Sequence, residues 1–486
     1  CDLVDLELES SVERVLERAR AALVQASGVL VEATAMQELL AFGDYMPVRL
    51  RIYNRGVAPV ALHGVRMSGI RPQDYETPIV IAPGADTVLL YSAVALMDHR
   101  PYWVGTRNGA MFEDADSPAD GVARVSLGVT TETVPRVSVA EDRRRLTDVK
   151  GDLEIFGTRT TVDGGSIVYR FADPVLGEQN RPVGGVPPIT VALDRTLEYF
   201  RAGVPVERRV RVTLKSYSAR PRTLRFRTLI PQGLRGSGLP DSLTLEPGET
   251  REVFLVVRGQ LAEGRHEFGV GVESEGVVFV EGFTPIEYPH IRPIKIYRQS
   301  SAYFRAVPLV VPRGLRVAYV TGVSDAIAPV LGQLEIPTTV MTAEQVPYAD
   351  LSQFTTIVIG PRAYESSPEL RAANARLFTW VRNGGTLVVQ YGQFEMQQPG
   401  MMPFPVAFSR PAARVADERA EVRVRDAQSR LLRWPNRITT RDWEDWVQER
   451  ALYMPTAIDP QYRTPLAMND VDEPERLGAI LDLPLG

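Results

Sequence analysis

The chain has 486 residues, too many for one compact core, and its length predicts about three domains. Hydrophobic residues at 44% and charged residues at 24% are ordinary for a globular protein and favour neither the disordered nor the membrane class. A net charge of −5 is too balanced to mark a nucleic-acid or membrane-surface partner.

Residue usage removes several chemistries. The one cysteine, Cys1, excludes a disulfide framework, a CxxC pair, a thiolate zinc site and an internal catalytic thiol. His63, His99, His266 and His290 are far apart, and none stands three to five residues from another as helix-borne metal ligands do. Lys150, Lys215 and Lys295 are the only lysines, which reads as the codon bias of a GC-rich genome. No apolar run reaches the roughly 18 residues needed to span a bilayer.

Residues 1–27 are expected to be the helical tail of an upstream domain. Leu8, Val12, Val15, Leu16, Ala19 and Leu23 share one face, with Glu9, Glu13, Glu17, Arg18 and Arg20 largely elsewhere. A start at Cys1 without methionine fits either a piece of a longer chain or a lipidated cysteine left by signal removal, the second making a lipid-anchored binding module.

From Val29 the period becomes two. Val48, Leu50 and Ile52 alternate with Arg49, Arg51 and Tyr53, and Asn54-Arg55-Gly56 turns into Val60-Ala61-Leu62. Ile81-Ala82-Pro83-Gly84 then leads into Thr87–Tyr91. The expectation is a first immunoglobulin-like β-sandwich over 28–188, with long insertions. The same grammar recurs over 189–285, a second sandwich. Val210, Val212 and Leu214 alternate with Arg209, Arg211 and Thr213, a turn follows at 218–221, and Leu245-Glu246-Pro247-Gly248 precedes Val253–Val257. A closing hairpin is expected around Ser274-Glu275-Gly276. From Arg208 to Arg227 arginines alternate with apolar residues, as on a solvated strand face, with an acidic partner as the alternative.

Residues 286–313, rich in Pro, Tyr and Arg with little periodicity, are expected to be a linker or an extended edge crossing to the next domain. Over 314–486 the pattern turns to βαβ. Strands are predicted at Leu315–Val320, Thr338–Met341, Thr355–Ile359 and Thr386–Gln390. Helices should bury Ile327, Val330, Leu331 and Leu334, and, after a Ser367-Pro368 start, Leu370, Leu377, Phe378 and Val381. This alternation predicts a parallel sheet.

Ligands of such sheets sit beyond the carboxyl ends of the strands, here the loops 321–325, 360–366 and 391–396. The first has neither GxGxxG nor GK[ST] spacing, which speaks against a phosphate site. The candidates are Asp325, Arg362, Tyr364, Glu365 and Glu395, the last beside Gln393 and Gln397 as a lining for a sugar hydroxyl. Tyr102 and Trp103, within Arg100-Pro101-Tyr102-Trp103, form a second candidate, an aromatic platform for a carbohydrate ring or a staple holding a long loop. Trp443, Trp446 and Val447 lie at helical spacing and are expected to dock a helix on the core.

Several longer segments carry a family resemblance. Asn54-Arg55-Gly56, Arg100-Pro101-Tyr102-Trp103, Tyr169–Glu178 and Arg181-Pro182 resemble the middle region of large bacterial PIG-L/LmbE-type deacetylases (GlcNAc-PI de-N-acetylase-like). Ile359–Tyr364, Val381–Tyr391, Pro435–Ile438 and Trp446–Arg450 resemble their C-terminal amidotransferase-like domain. The similarity runs from about residue 20 to the end. It implies a flavodoxin-like, class I glutamine amidotransferase-like domain over 314–486, truncated before a last strand and helix. It also implies that zinc-dependent chemistry on N-acetylated sugars lies in an upstream domain, built on a His-Pro-Asp-Asp segment and a later histidine. None of those residues occurs here, so no catalytic residue and no cofactor is expected in this chain. An amidotransferase-type cysteine nucleophile is missing too, because Val388–Gln393 holds no cysteine or serine and no histidine follows His290. The implied role is a non-catalytic accessory region that positions a carbohydrate or glycoconjugate, works outside the cytoplasm, and has the deacetylase domain as its partner in cis.

Overall fold

A computed structural model describes residues 2–41, 43–67, 70–94, 148–288, 290–291, 294–323, 326–444 and 446–485, with side chains described from residue 11 onward. Tyr102, Trp103, His99 and Asp325 lie outside the described residues. The protein is predominantly β-sheet and multidomain. Among the described residues no helix is long and apolar enough to cross a membrane.

The chain forms two compact units. One contains Cys1–Thr196, Glu207–Gly259 and Glu267–Tyr303, and the other contains Leu197–Val206, Gln260–His266 and Phe304–Gly486. This division cuts across the expected second domain, because the strand Leu197–Arg201 belongs to the later unit. There the Tyr199 backbone N–H donates to Gln333 Oε1 at 3.0 Å and Arg201 pairs with Glu335 at 2.6 Å. Those partners lie far ahead in sequence, which is why no local pattern announced them.

The first unit opens with a helix, Asp2–Ser27. Only its last turn docks, through Leu23 and Val24, while Val12, Val15 and Leu16 of the expected apolar face stand in solvent. The strand Val29–Ala35 then pairs antiparallel with Tyr45–Asn54, which pairs with Asp86–Val94. A second sheet orders Gln73–Ile81, Val60–Met67, Asp148–Ile155 and Thr158–Ser166 as neighbours. Val48, Leu50, Ile52, Leu62 and Leu153 are fully buried in the first core, as their alternation requires. Asn54-Arg55-Gly56 is not a hairpin, because the strands on either side of it lie in different sheets. The fully buried Asn54 amide donates to Ala58 O and Ile81 O, both at 2.9 Å, and its Oδ1 accepts from the Gly56 N–H at 3.0 Å. One side chain therefore satisfies the backbone groups where the chain changes sheet.

The second sandwich repeats the arrangement. Ile189–Leu193, Val206–Ser216, Thr250–Gly259 and Leu234–Ser237 form one sheet, and within this unit Gly264–Ser274, Arg222–Leu229 and Leu243–Leu245 are neighbours in another. Pro83-Gly84 and Pro247-Gly248 both stand between strands of different sheets, and Gly84 and Gly248 take φ of +77° and +74°, open to glycine at no steric cost. The expected closing hairpin forms with Ser274 opposite Val277 across Glu275 and Gly276, both at positive φ as a two-residue turn needs. The arginine face is solvated and paired except at Arg222, which is buried; Arg258 pairs with Glu207 at 2.8 Å and Arg227 with Glu273.

Residues 286–313 contain two strands and the boundary between the two units, as the extended-edge alternative expects. Ile294–Gln299 pairs with Glu281–Ile286, and Ser301–Val307 follows as a further strand.

In the second unit four parallel strands lie in the order Thr338–Met341, Val317–Val320, Thr356–Ile359, Thr386–Val389. The helix Pro368–Arg382 starts as predicted, with the Ser367 hydroxyl accepting the Leu370 N–H at 3.2 Å, and buries Leu370 and Leu377 against this sheet. The helix Ile327–Gln333 buries none of its residues fully. Beyond Gln390 the strands are short and antiparallel, in pairs or threes. The Trp443, Trp446, Val447 stripe is not a helix face: a single turn, Thr440–Trp443, forms, and Val447 is 80% exposed. A capping box holds this single turn, the Thr439 N–H donating to Asp442 Oδ2 at 2.6 Å.

Candidate functional site

Arg362 follows the third parallel strand at a φ of +56°, a left-handed conformation that a side chain adopts at a cost of about 1 kcal/mol or more. Its backbone N–H donates to Tyr391 O at 2.8 Å, which ties the loop after one strand to the loop after the next. The guanidinium folds back on Glu365 with two bonds of 2.5 and 3.0 Å, both side chains remaining more than a third exposed.

That pair sets a local charge pattern. Hydrogen bonding to Arg362 holds the Glu365 carboxyl below its ordinary value of 4.5, and the same bond raises Arg362. The pairing is therefore present above the ordinary carboxylate range and lost as pH falls through the depressed value. An NMR titration of the Glu365 side chain is expected to give a midpoint below 4.5, so the pair stays intact from pH 8 to about pH 5.

Beside it stands an aromatic cluster. Tyr453, itself at a φ of +55°, meets Tyr391 edge-on at 5.8 Å between ring centroids and Phe394 at 5.0 Å. The Arg410 guanidinium lies over Phe394 at 3.8 Å. Burial raises the Tyr391 hydroxyl above its ordinary value, so it is neutral at physiological pH, and Gln393 Nε2 donates to it at 3.3 Å. Rings presented beside a guanidinium and a carboxylate can stack on the apolar face of a ring ligand and hydrogen-bond its hydroxyls.

The sequence candidates divide sharply. Arg362 and Glu365 belong to this site. Tyr364 is only 2% exposed, and its hydroxyl donates to Asn374 Oδ1 at 2.7 Å, while Asn374 in turn donates to Gly400 O and Met401 O. Burial raises that phenol far above its ordinary value. Tyr364 is a core side chain with its polar end satisfied, and no ligand reaches it. Glu395 also turns inward, at 9% exposure, its Oε1 accepting the Gln393 N–H at 2.9 Å. Gln397 Oε1 accepts the Phe408 N–H at 3.1 Å, so of the three expected polar linings Gln393 alone faces the cluster. Tyr391, Phe394, Arg410 and Tyr453 are the residues that sequence reasoning missed. Tyr391 was visible as the residue just after a strand; Tyr453, in a separate segment, had no local signal.

Among the described residues no group of three or more His, Cys, Asp or Glu side chains is placed to hold a metal ion.

No protein-family model matches the chain, and no curated protein matches it in sequence. Among solved structures it is similar to a FixG-related protein from Vibrio parahaemolyticus, at 12% identity over 25% of this chain and 98% of that one, with a TM-score of 0.17. A native alpha-2-macroglobulin structure from Escherichia coli matches 24% of this chain and 17% of its own length at 16% identity and a TM-score of 0.18. Red sea bream transglutaminase matches at 11% identity over 51% of this chain and 29% of its own, with a TM-score of 0.21. Likenesses this distant assign no function to this chain.

Proposed function

We propose that this chain is the non-catalytic, substrate-positioning region of a zinc-dependent N-deacetylase acting outside the cytoplasm on N-acetylated sugars or glycoconjugates. The family resemblance of the segments around residues 169–182 and 359–391 supports this reading, with the sandwiches immunoglobulin-like and the parallel-sheet unit flavodoxin-like. The strand order of that sheet, with the first strand in sequence between the second and the third, supports the flavodoxin-like part of this reading. Zinc belongs to the upstream domain, and no step of its chemistry is assigned to residues here.

The observation that carries the proposal is the Tyr391, Phe394 and Tyr453 cluster beside Arg362 and Glu365, at the end of the sheet where ligands of open α/β sheets bind. An N-acetylated sugar offers what these groups recognise: a ring with an apolar C–H face, an amide and several hydroxyls. Titration of the full chain with N-acetylglucosamine tetramer is expected to show binding. Replacing Tyr391 or Tyr453 by alanine should weaken it about three- to tenfold each, the size of a lost aromatic contact. Unchanged affinity in both variants would remove the site, and absence of a His-Pro-Asp-Asp segment in the reading frame upstream would remove the deacetylase assignment.

A further inference from the structure

A second groove lies entirely within the double-sandwich unit. Antiparallel pairing of Ile189–Leu193 with Val206–Ser216 sets Thr190 opposite Lys215 and Ala192 opposite Thr213. The hairpin Glu281–Ile286 with Ile294–Gln299 places Phe283 opposite Tyr297 and Pro285 opposite Lys295. At Gly282 the hairpin backbone presses on the strand, because a Cβ there would stand 2.9 Å from Val191 O and 3.4 Å from Ala192 Cβ. Beside this contact a cavity of about 360 Å³ remains, within the range of small-molecule sites.

Its lining combines three chemistries. Tyr217 and Phe283 line it as a pair of rings with centroids 5.4 Å apart, and the buried Tyr297 packs on Phe283 at 5.3 Å from outside the lining. Lys215 Nζ stands 4.8 Å from the Tyr217 centroid, and Lys295 Nζ stands 6.0 Å from that of Phe283. Thr190 and Thr213 add hydroxyls to the lining. The chain uses arginine for all but three of its 55 basic residues, yet two of the three lysines line this one cavity. A lysine offers a compact ammonium with three rotatable donors, where arginine imposes a planar fork. At the rim Glu38 and Glu287 both pair with Arg181, at 3.3 and 3.2 Å, so the lysines are not the only counter-charge to those carboxylates.

We propose that this groove binds a carboxylate-bearing sugar residue, a hexuronate unit of an acidic glycan. The rings take the C–H face, the two ammoniums take the carboxylate, and the threonines meet ring hydroxyls. A phosphate group, with its higher charge, fits less well, since Glu38 and Glu287 stand at the same opening. The site is separate from the Tyr453 cluster and does not depend on the deacetylase reading.

The test is calorimetric titration of the full chain with tetragalacturonic acid and with its methyl ester, in the wild type and in Lys215→Gln, Lys295→Gln and Tyr453→Ala. The acid is expected to bind at least about tenfold more tightly than the ester, each lysine variant to lose about tenfold or more, and Tyr453→Ala to bind the acid like the wild type. No binding of the acid, equal affinity for acid and ester, or wild-type affinity in Lys215→Gln would each overturn the proposal. Lys295 Nζ lies close to the Gly184 backbone, where a Cβ would stand 3.2 Å from it, so its variant also changes packing there. Lys215, partly exposed on a strand, is the deciding variant, with its thermal midpoint measured beside the wild type.

Discussion

Asp44→Ala is expected to destabilise the double-sandwich unit by about 2–3 kcal/mol, the cost of leaving buried donors without their acceptor. Asp44 precedes the strand Tyr45–Asn54 of the first sandwich, and it is 6% exposed. Its Oδ2 accepts from the Ser218 hydroxyl and the Ala219 N–H, both at 2.8 Å, and its Oδ1 accepts from Arg222 Nη2 at 3.3 Å. Arg222, 7% exposed, also donates through Nε to Ser218 Oγ at 3.1 Å and through Nη1 to Glu275 at 2.6 Å. Each carboxylate oxygen of Asp44 and each guanidinium nitrogen of Arg222 makes a hydrogen bond, so deleting the carboxylate strips Arg222 Nη2, a hydroxyl and a backbone amide of their acceptor together, while Arg222 keeps Glu275. Hydrogen exchange of the strand Arg222–Leu229 in increasing urea reads this locally, which matters because a chain of two units does not unfold in one step. The double variant Asp44→Leu with Arg222→Met is expected to lose less than the two single changes combined, since it removes both charges. A loss below about 1 kcal/mol in Asp44→Ala would show that the pair behaves like a solvated surface bridge.

The same pair marks what the sequence could and could not reveal. Ser218-Ala219-Arg220-Pro221 reads as a turn from composition, and it is one, but nothing local says that Asp44 reaches it across more than 170 positions. Alternation placed Val48, Leu50 and Ile52, then Val210, Val212 and Leu214, on buried faces correctly, because period two is a property of each strand alone. It failed over 286–313, where Tyr297 and then Ala302, Phe304 and Ala306 are buried in two separate strands. Ser300, between them, donates its hydroxyl to Val270 O and Val280 O, so a buried polar residue interrupts the apolar pattern at the point where the strands meet. In the candidate site the topology predicted the right loops but not the direction of side chains within them. Arg362 faces out and Tyr364 faces in, two residues apart on a four-residue helix and its cap. Which side an isolated turn buries is decided by Asn374 and the Gly400-Met401 carbonyls, all distant in sequence.

Gly322→Ala is expected to disable the Arg362 site while leaving the groove of the other unit intact. Gly322 follows the first parallel strand, and its backbone lies against the loop after the third: a Cβ would stand 2.2 Å from Pro361 O and 2.6 Å from both Gly360 C and Pro361 N. All three are backbone atoms of a segment already fixed by Gly360 N–H donating to Val320 O and Val323 N–H donating to Pro361 O, each at 2.8 Å. The methyl group cannot rotate away and the loop cannot yield without breaking those bonds, so overpacking should cost about 1–3 kcal/mol or more. The displacement passes directly to Arg362, the next residue, whose N–H bond to Tyr391 O aligns the guanidinium with the aromatic cluster. Loss of that alignment should weaken binding of the N-acetylglucosamine tetramer at least about tenfold. Gly332→Ala is the matched control, because nothing lies within 4 Å of a Cβ there and the residue sits in the helix Ile327–Gln333, where alanine is the better former. Titrating both variants with the tetramer and with tetragalacturonic acid separates the two sites. Wild-type affinity for the tetramer in Gly322→Ala would mean that the two loops move without disturbing recognition, and that the ligand is held by the rings alone.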